Sequence, residues 1–253
     1  MRVFALSDIH VDYDENARWL AALSLADYRD DVLILAGDVT DVLPLLEWCL
    51  TELARRFRQV LFVPGNHDIW VVRDGSAKTS LQKFEEVRRV AEARGVSTKP
   101  FRARGVSIIP LFGWYDYSFG EPSAELRSAW MDYRACRWPG GYTEKEITAH
   151  FTAMNDTDIS IDGDTVITFS HFLPRIDVMP SFIPPAHRYL YPVLGSTLLD
   201  GQLRKLQASM HVYGHSHVNR RVTIDGVTYI NNAFGNPNET RIAAKQLVCI
   251  NFC

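Results

Sequence analysis

VLILAGD (residues 32–38) and VLFVPGNHD (residues 60–68) share one pattern, an apolar run rich in β-branched residues that ends in glycine and polar side chains. Such runs are typical of strands that are buried on both faces of a sheet. Three further runs follow the pattern, at Val3–Leu6, Val166–Phe169 and His211–Tyr213. Each predicted strand therefore delivers polar side chains at its carboxyl end, the edge at which an α/β sheet carries its chemistry.

The side chains that follow these strands are the ligand types of a divalent-metal site. Asp8 and His10 lie two residues apart, as do His215 and His217, so an extended chain points each pair to one side. Glycines in the motifs let the backbone turn tightly beneath an ion. The motifs are Asp8-x-His10, Gly37-Asp38, Gly65-Asn66-His67-Asp68, Ser170-His171 and Gly214-His215-x-His217. Because five of the eight histidines fall in them, the sequence predicts a metal centre built from strand ends.

The first 65 residues alternate strand and helix patterns, which predicts a parallel sheet with right-handed crossovers. Helices are predicted near Glu15–Asp27, Val42–Phe57, Ser80–Arg94 and Thr143–Asn155, and further strands near Val106–Leu111, Arg221–Ile224, Val227–Ile230 and Gln246–Phe252. An aromatic-rich insertion spans about residues 112–160, and a proline-rich loop spans about residues 174–195. No segment is repetitive or of low complexity, so we expect a single domain over residues 1–253.

Composition excludes several classes of protein. The 27 basic and 30 acidic residues give a formal net charge of −3 without any basic block, so a nucleic-acid partner is not indicated. No apolar stretch approaches the length of a membrane span. Met1 leads directly into the first predicted strand, so we expect no signal peptide and a cytoplasmic location. The four cysteines lack zinc-site spacing and are expected to be reduced thiols.

The order of the motifs resembles that of the calcineurin-like metallophosphoesterases, in which D-x-H, G-D, G-N-H-[DE], a histidine after a strand, and G-H-x-H follow one another. Every element is present between Arg2 and about Pro237. The resemblance implies an α/β fold, a four-layer αββα sandwich of two mixed β-sheets with flanking helices. It also implies one metal site made by Asp8, His10, Asp38 and His217, and a second made by Asp38, Asn66, His171 and His215, with Asp38 bridging. We expect two divalent ions per chain (Mn, Fe or Zn), with Mn favoured.

The resemblance also implies a catalytic role, that of a metal-dependent phosphoric ester hydrolase. A metal-activated hydroxide would attack the phosphorus, while the ions neutralise charge on the phosphoryl oxygens. His67 matches a family position that does not bind metal. It would stabilise the transition state or protonate the leaving oxygen, with Asp68 orienting or polarising it, unless its role is only to support the ligands. We expect the substrate to be a small soluble phosphomonoester or phosphodiester that Asn66 and His67 also contact.

The choice of substrate is less constrained by the sequence. The protein Ser/Thr phosphatases of this family carry an arginine shortly after the Gly-Asp motif, and residues 37–41 (GDVTD) contain none, which argues against protein phosphatase activity. Arginine is the natural fork for phosphate, and Arg175, four residues after His171, is the candidate substrate contact. The aromatic residues of Trp114–Tyr142 form either a lid that stacks on a base or aromatic leaving group, or a satellite core beneath the insertion.

Three alternatives compete with this interpretation. A nuclease acting on DNA or RNA predicts a basic, salt-sensitive groove, which the composition does not support. A non-catalytic scaffold for a protein partner is typical of relatives that have lost ligands, and this chain has lost none. A single structural zinc site is the third alternative, but it would leave three polar residues of the motifs unexplained. Its ligands would be His10, His171, His215 and His217, and the unexplained residues are Asp8, Asp38 and Asn66. Two bound metals per chain would exclude the zinc alternative.

Overall fold

The computed structural model describes residues 1–75, 77–159 and 165–252. Its strands are β1 (Arg2–Leu6), β2 (Val32–Leu35), β3 (Gln59–Phe62), β4 (Val96–Ser97), β5 (Phe101–Ala103), β6 (Val106–Pro110), β7 (Thr165–Phe169), β8 (Met210–Tyr213), β9 (Arg220–Ile224), β10 (Val227–Asn231) and β11 (Val248–Phe252). In this part of the chain they form two sheets, with the strand orders β11-β1-β2-β3-β4 and β5-β6-β7-β8-β10-β9. The two sheets predicted from the resemblance are therefore confirmed.

Both sheets are mixed, with a parallel centre and antiparallel strands at their edges. In the first sheet β1 to β4 are parallel and β11 pairs antiparallel with β1. In the second sheet β6, β7, β8 and β10 are parallel, while β5 and β9 are antiparallel to their neighbours. Parallel pairing places the carboxyl ends of these central strands at one edge of each sheet, which is where the motif residues follow.

The described part of the chain also contains helices, several of which pack against the sheets. They are α1 (Asp14–Ala22), α2 (Leu43–Ala54), α3 (Ser80–Ala93), α4 (Ala124–Ala129), α5 (Asp132–Ala135), α6 (Glu144–Ala153) and α7 (Thr197–Lys205). Successive side chains of β2 serve different layers: Val32 and Ile34 join the core that also contains β6 and β7, whereas Leu33 and Leu35 pack with α1 to α3. This alternation produces the αββα sandwich. No described helix has the length and apolar character needed to cross a membrane.

The boundaries of several elements differ from the sequence-based expectations. The first helix ends at Ala22 rather than near Asp27, because the backbone of Leu23 leaves the helical conformation with ψ at 141°. The hydroxyl of Ser24 then accepts hydrogen bonds from the backbone amides of Ala26 and Asp27. The short strands β4 and β5 and the helix α7 were not predicted. Two-residue and three-residue strands carry too little periodicity to be recognised. The proline-rich loop contains a 3-10 helix, Pro185–Val193.

Other expectations agree with the structure, with two limits. The predicted hairpin forms between β9 and β10, with Asp225 and Gly226 both at positive φ, as a two-residue type I′ turn requires. The insertion predicted over residues 112–160 contains α4, α5 and α6, but its last residue, Ser160, lies outside the described residues, as does Cys253 at the end of the predicted domain. A single domain over residues 1–253 stays a prediction.

The layered packing predicts how the stability responds to substitution. Leu33 is fully buried between the first sheet and its helices, so Leu33→Ala should lower the free energy of unfolding by about 2–5 kcal/mol. Leu198 on α7 is 48% exposed, and Leu198→Ala should change it by no more than about 0.5 kcal/mol. Urea unfolding followed by tryptophan fluorescence measures both. Equal effects of the two substitutions would contradict this assignment of the core.

Candidate metal centre

The backbone is in the left-handed region at five of the predicted metal ligands. These are Asp8 (φ 51°), His10 (φ 40°), Asp38 (φ 57°), His215 (φ 67°) and His217 (φ 53°). A non-glycine residue in this region costs roughly 1–2 kcal/mol. Such conformations persist only where the surrounding structure determines them, and they concentrate at functional sites. The strained residues therefore lie at the strand ends where the sequence predicts the metal ligands.

Motif glycines allow these strand ends to approach one another closely. A Cβ atom at Gly65 would collide with the carboxylate of Asp38 and would lie 2.8 Å from the ring of His171. A Cβ atom at Gly214 would lie 2.8 Å from the carbonyl oxygen of Ala36. Such contacts are closer than side-chain carbons tolerate, so these positions require glycine if the polar residues beside them are to converge.

A first group of side chains consists of Asp8, His10, Asp38 and His217, whose ligand atoms all lie within 4.8 Å of one another. The Nε2 atom of His217 lies 3.2 Å from Nε2 of His10 and 3.4 Å from Oδ1 of Asp8. The other ring nitrogen of His217, Nδ1, donates a hydrogen bond of 2.7 Å to Oε2 of Glu239. This bond fixes the ring so that Nε2 faces the group.

A second group lies beside the first and shares Asp38 with it; its other members are His171 and His215. The Nε2 atom of His171 lies 3.1 Å from Nδ1 of His215 and 3.0 Å from Oδ1 of Asn66. The other ring nitrogen of each histidine contacts a backbone carbonyl oxygen. Nδ1 of His171 lies 2.9 Å from the oxygen of Ala36, and Nε2 of His215 lies 3.0 Å from the oxygen of Val193. Because a carbonyl only accepts, the ring protons lie on that side, and bare nitrogens face the group.

The two groups together fit divalent cations. The facing atoms of His171, His215 and Asn66 are all acceptors, so no hydrogen bond can join them, yet they lie about as close as hydrogen-bonded atoms. A cation between them turns this mutual repulsion into attraction. The carboxylate of Asp38 has Oδ2 3.9 Å from Nε2 of His10 and Oδ1 3.5 Å from Nε2 of His171, so it faces both groups.

Burial keeps most of the clustered histidines neutral, as metal ligands must be. It lowers the pKa of His10, with the help of the nearby His217, and that of His215, with the help of His171, in both cases to about 3. It also lowers the pKa of His171. These rings therefore present unprotonated nitrogens over the whole physiological pH range.

The acidic members of the site also respond to their surroundings. Burial and the neighbouring carboxylates of Asp8 and Asp68 raise the pKa of Asp38 well above its usual value. The ionised form of Asp38 is therefore disfavoured unless a cation lies nearby. His217 behaves differently from the other histidines. Burial disfavours its charge, but Asp8 and Glu239 outweigh burial and raise the pKa of His217 to about 10, so a metal ion binding at Nε2 displaces a proton.

His67 lies next to both groups without belonging to either. Its ring stacks on Trp70 with ring centroids 3.7 Å apart, and its Nε2 lies 3.9 Å from Oδ2 of Asp38. The side chain is 34% exposed, whereas those of His10 and His171 are buried. His67 is therefore the histidine of the motifs that an incoming ligand can reach.

Asp68 does not have the partner that the sequence suggested. Its buried carboxylate accepts hydrogen bonds of 2.8–3.0 Å from four backbone amides, those of Asp38, Val39, Thr40 and Gly65. Burial raises the pKa of Asp68 to about 6 against the effect of these bonds. The expectation that Asp68 orients the ring of His67 is corrected: its carboxylate is occupied by these amides and ties the loop of Asp38 to the loop of Gly65.

Arg175 is not brought to the metal centre. Its guanidinium binds both oxygens of Asp177, at 2.6 and 2.8 Å, and Oδ2 of Asp225 at 2.9 Å, and it packs over the ring of Tyr229. Two carboxylates thus occupy the guanidinium N–H donors that a phosphate would need. The sequence-based prediction of a substrate contact at Arg175 has no support in this geometry.

Sequence reasoning missed two carboxylates that contact the site, Asp132 and Glu239. Neither lies in a motif, and each is distant in sequence from the residue that it contacts, so no local signal identifies them. Among the aromatic residues of the insertion, Trp114 and Tyr115 are only 1% exposed and belong to the main core, so these two form neither a lid nor a separate satellite core. Trp130 instead packs edge-on against His215, with centroids 5.8 Å apart.

Comparisons with known proteins point to one family. The family model described as calcineurin-like phosphoesterase matches residues 1–219. A curated relative, the [acyl-carrier-protein] phosphodiesterase PptH of Mycobacterium tuberculosis, is 28% identical over 265 residues, covering 94% of this chain and 79% of the relative. The crystal structure of that organism's phosphopantetheinyl hydrolase (PptH) has a TM-score of 0.74 at 26% identity and covers 95% of this chain and 91% of its own. Another solved structure, 13% identical with a TM-score of 0.53, shares the fold.

The close approach at Gly65 makes a testable prediction. Gly65→Ala should lower the affinity for Mn²⁺ at least tenfold and destabilise the protein by about 1–3 kcal/mol, because the new methyl group displaces Asp38 or His171. Gly201→Ala is the matched control. Gly201 lies in α7 with no atom within 4 Å of the added Cβ, so this change should stabilise the protein by up to about 1 kcal/mol and leave metal binding unchanged. Metal titration and thermal unfolding measure both quantities, and an unchanged affinity in Gly65→Ala would contradict the packing.

Proposed function

The chain belongs to the calcineurin-like phosphoesterase family and is a metal-dependent phosphoric ester hydrolase, and we propose that its substrate is the phosphodiester that attaches a phosphopantetheinyl group to an acyl carrier protein. The observation that carries this proposal is the similarity to PptH, which extends over nearly the whole chain in sequence and in structure. The small soluble phosphoester expected from the sequence is the alternative, and the same assays distinguish the two.

In this proposal the two groups of side chains each hold one divalent ion. Asp8, His10, Asp38 and His217 form one site, and Asp38, Asn66, His171 and His215 form the other. The ligand atoms that converge in each group support this division. Divalent ions at such sites activate water as Lewis acids and neutralise the charge of a phosphoryl group. The ligands are oxygen and nitrogen atoms without cysteine and suit Mn, Fe or Zn, and Mn²⁺ is our choice among these ions.

We assign the substrate contacts to His67 and Asn66. His67 donates a proton or a hydrogen bond to the leaving oxygen, because it is partly exposed and adjacent to Asp38 without being enclosed by either group. Asn66 contacts a phosphoryl oxygen through its second amide hydrogen. Arg175 would first have to release Asp177 and Asp225, and we give it no part. A cytoplasmic location stays a prediction from the sequence.

The proposed substrate is tested with a carrier protein that bears a phosphopantetheinyl group. Protein stripped with EDTA and then supplied with Mn²⁺ should remove that group, which intact-mass spectrometry of the carrier protein detects. Asp38→Asn keeps the shape of the side chain and suits its left-handed backbone but removes the charge shared by both groups, so it should lower kcat at least about a hundredfold.

Bis-p-nitrophenyl phosphate and p-nitrophenyl phosphate serve as parallel substrates. Cleavage of either small ester without any action on the carrier protein would reject the proposed substrate and favour a small diester or monoester. Cleavage of single-stranded or duplex DNA at a higher rate than the carrier protein would favour a nuclease instead.

The role of His67 is tested by His67→Ala. We expect this variant to bind two Mn²⁺ ions as the wild type does and to lose roughly 10²–10⁴-fold in kcat, because only the proton donor is removed. His187→Ala is the control, since His187 is an exposed histidine of the proline-rich loop, and it should retain wild-type kcat. Wild-type turnover by metal-replete His67→Ala would remove His67 from the mechanism.

A further inference from the structure

Asp132, the first residue of α5, is a buried carboxylate surrounded by side-chain N–H donors. It is 2% exposed and accepts hydrogen bonds from Asn66 Nδ2 at 2.9 Å, Trp70 Nε1 at 2.7 Å and Trp130 Nε1 at 2.8 Å. None of the ion pairs among the described residues involves it. An indole nitrogen can only donate, so the carboxylate acts here as an acceptor for its neighbours.

The three donors of Asp132 are also neighbours of the candidate metal centre. Asn66 is a proposed ligand, the ring of Trp70 stacks on His67, and the ring of Trp130 packs against the edge of His215. Asn66 and His215 both belong to the second group, and among the described residues no hydrogen bond or ion pair joins Asp132 to a histidine of the first group. One side chain of the aromatic-rich insertion thus contacts three neighbours of the centre, of which Asn66 and Trp130 adjoin the second group.

The contact with Asn66 decides which end of the amide faces the metal position. An amide has a donor end and an acceptor end of almost the same shape, and a half-turn exchanges them. An ionised carboxylate accepts only the donor end. Asp132 therefore holds Nδ2 of Asn66 on its own side and directs Oδ1 towards His171, where an oxygen can bind a cation and a nitrogen cannot.

Glu239 stands in a comparable relation to the first group. Its Oε2 accepts hydrogen bonds of 2.7 Å from Nδ1 of His217 and of 2.7 Å from the backbone amide of Asn236. The proton therefore stays on Nδ1, and Nε2 of His217 is directed towards His10 and Asp8. Asp132 and Glu239 have no partner in common.

We propose that Asp132 and Glu239 are positioning residues, each of which sets the affinity of one metal site: Asp132 that of the site with Asn66, and Glu239 that of the site with His217. This inference rests on the two-site assignment under the proposed function. Outer carboxylates of this kind typically contribute 10–100-fold to metal affinity, because they fix the orientation of a ligand before the ion binds. Removal of either should therefore weaken one binding step and leave the other unchanged.

The test is a titration of the metal-free protein with Mn²⁺, which needs no substrate. Asp132→Asn and Glu239→Gln keep the shape of each side chain while removing the charge. Each should weaken one of the two binding steps by about 10–100-fold. His171→Ala and His10→Ala identify the step, because each removes a ligand of one site only.

Combined variants show whether the effects are separate. In the His171→Ala background, Asp132→Asn should have no further effect on the remaining ion, whereas Glu239→Gln should still weaken it 10–100-fold. In the His10→Ala background the pattern should reverse. If either substitution lowers the affinity of both sites equally, or lowers the affinity of neither site, the inference is wrong even though two ions bind. If the wild-type protein binds fewer than two ions, the two-site assignment itself is wrong.

Loss of folding is recognised by circular dichroism and thermal unfolding of the metal-free variants. Should Asp132→Asn not fold, Glu239→Gln still decides its half of the proposal, since Glu239 is partly exposed and lies in a surface loop. Glu239→Gln must lower the Mn²⁺ affinity of the site that contains His10 and leave that of the site that contains His171 unchanged. A Glu239→Gln variant that folds and binds both ions as the wild type does would overturn the pairing.

Discussion

Acceptor atoms that face one another without a hydrogen to share are the constraint on which this structure depends. Around Asp38, ring nitrogens and carbonyl-type oxygens converge to within about 3 Å, although in the absence of a cation they repel. The rest of the strand-end architecture serves that convergence. It explains why glycine stands where two loops nearly touch, and why several ligands have a left-handed backbone.

The convergence is held from outside by groups that occupy the far side of each ligand. Backbone carbonyls from β2's end and from the proline-rich loop accept the spare protons of His171 and His215. Carboxylates accept those of Asn66 and His217. The support is drawn from the end of β2, the insertion, the proline-rich loop and the final loop, so the insertion and the proline-rich loop are structural parts of the centre and not only coverings of it.

The sequence revealed what is encoded locally. Buried strands, the residues at their ends and the two-sheet fold of the family could all be predicted, because β-branched runs and short motifs lie within a few residues of each other. The partners of Asp68 and Arg175 could not, since backbone amides of another loop and the carboxylate of Asp225 compete for them across the fold. Asp132 and Glu239 escaped for the same reason: the partner of each was distant in sequence.

The distance along the chain between partners has a consequence for biosynthesis. Asp8 and His10 contact residues 207 positions later, and Glu239 follows later still. A nascent polypeptide therefore emerges from the ribosome with β1, Asp8 and His10 long before His215 and His217 have been made. Contacts between residues so far apart in sequence form slowly and late, so ion capture must wait until His217 has been translated. Until β11 has been made, the edge of β1 lacks its antiparallel partner, and an unpaired strand edge is prone to association with other chains.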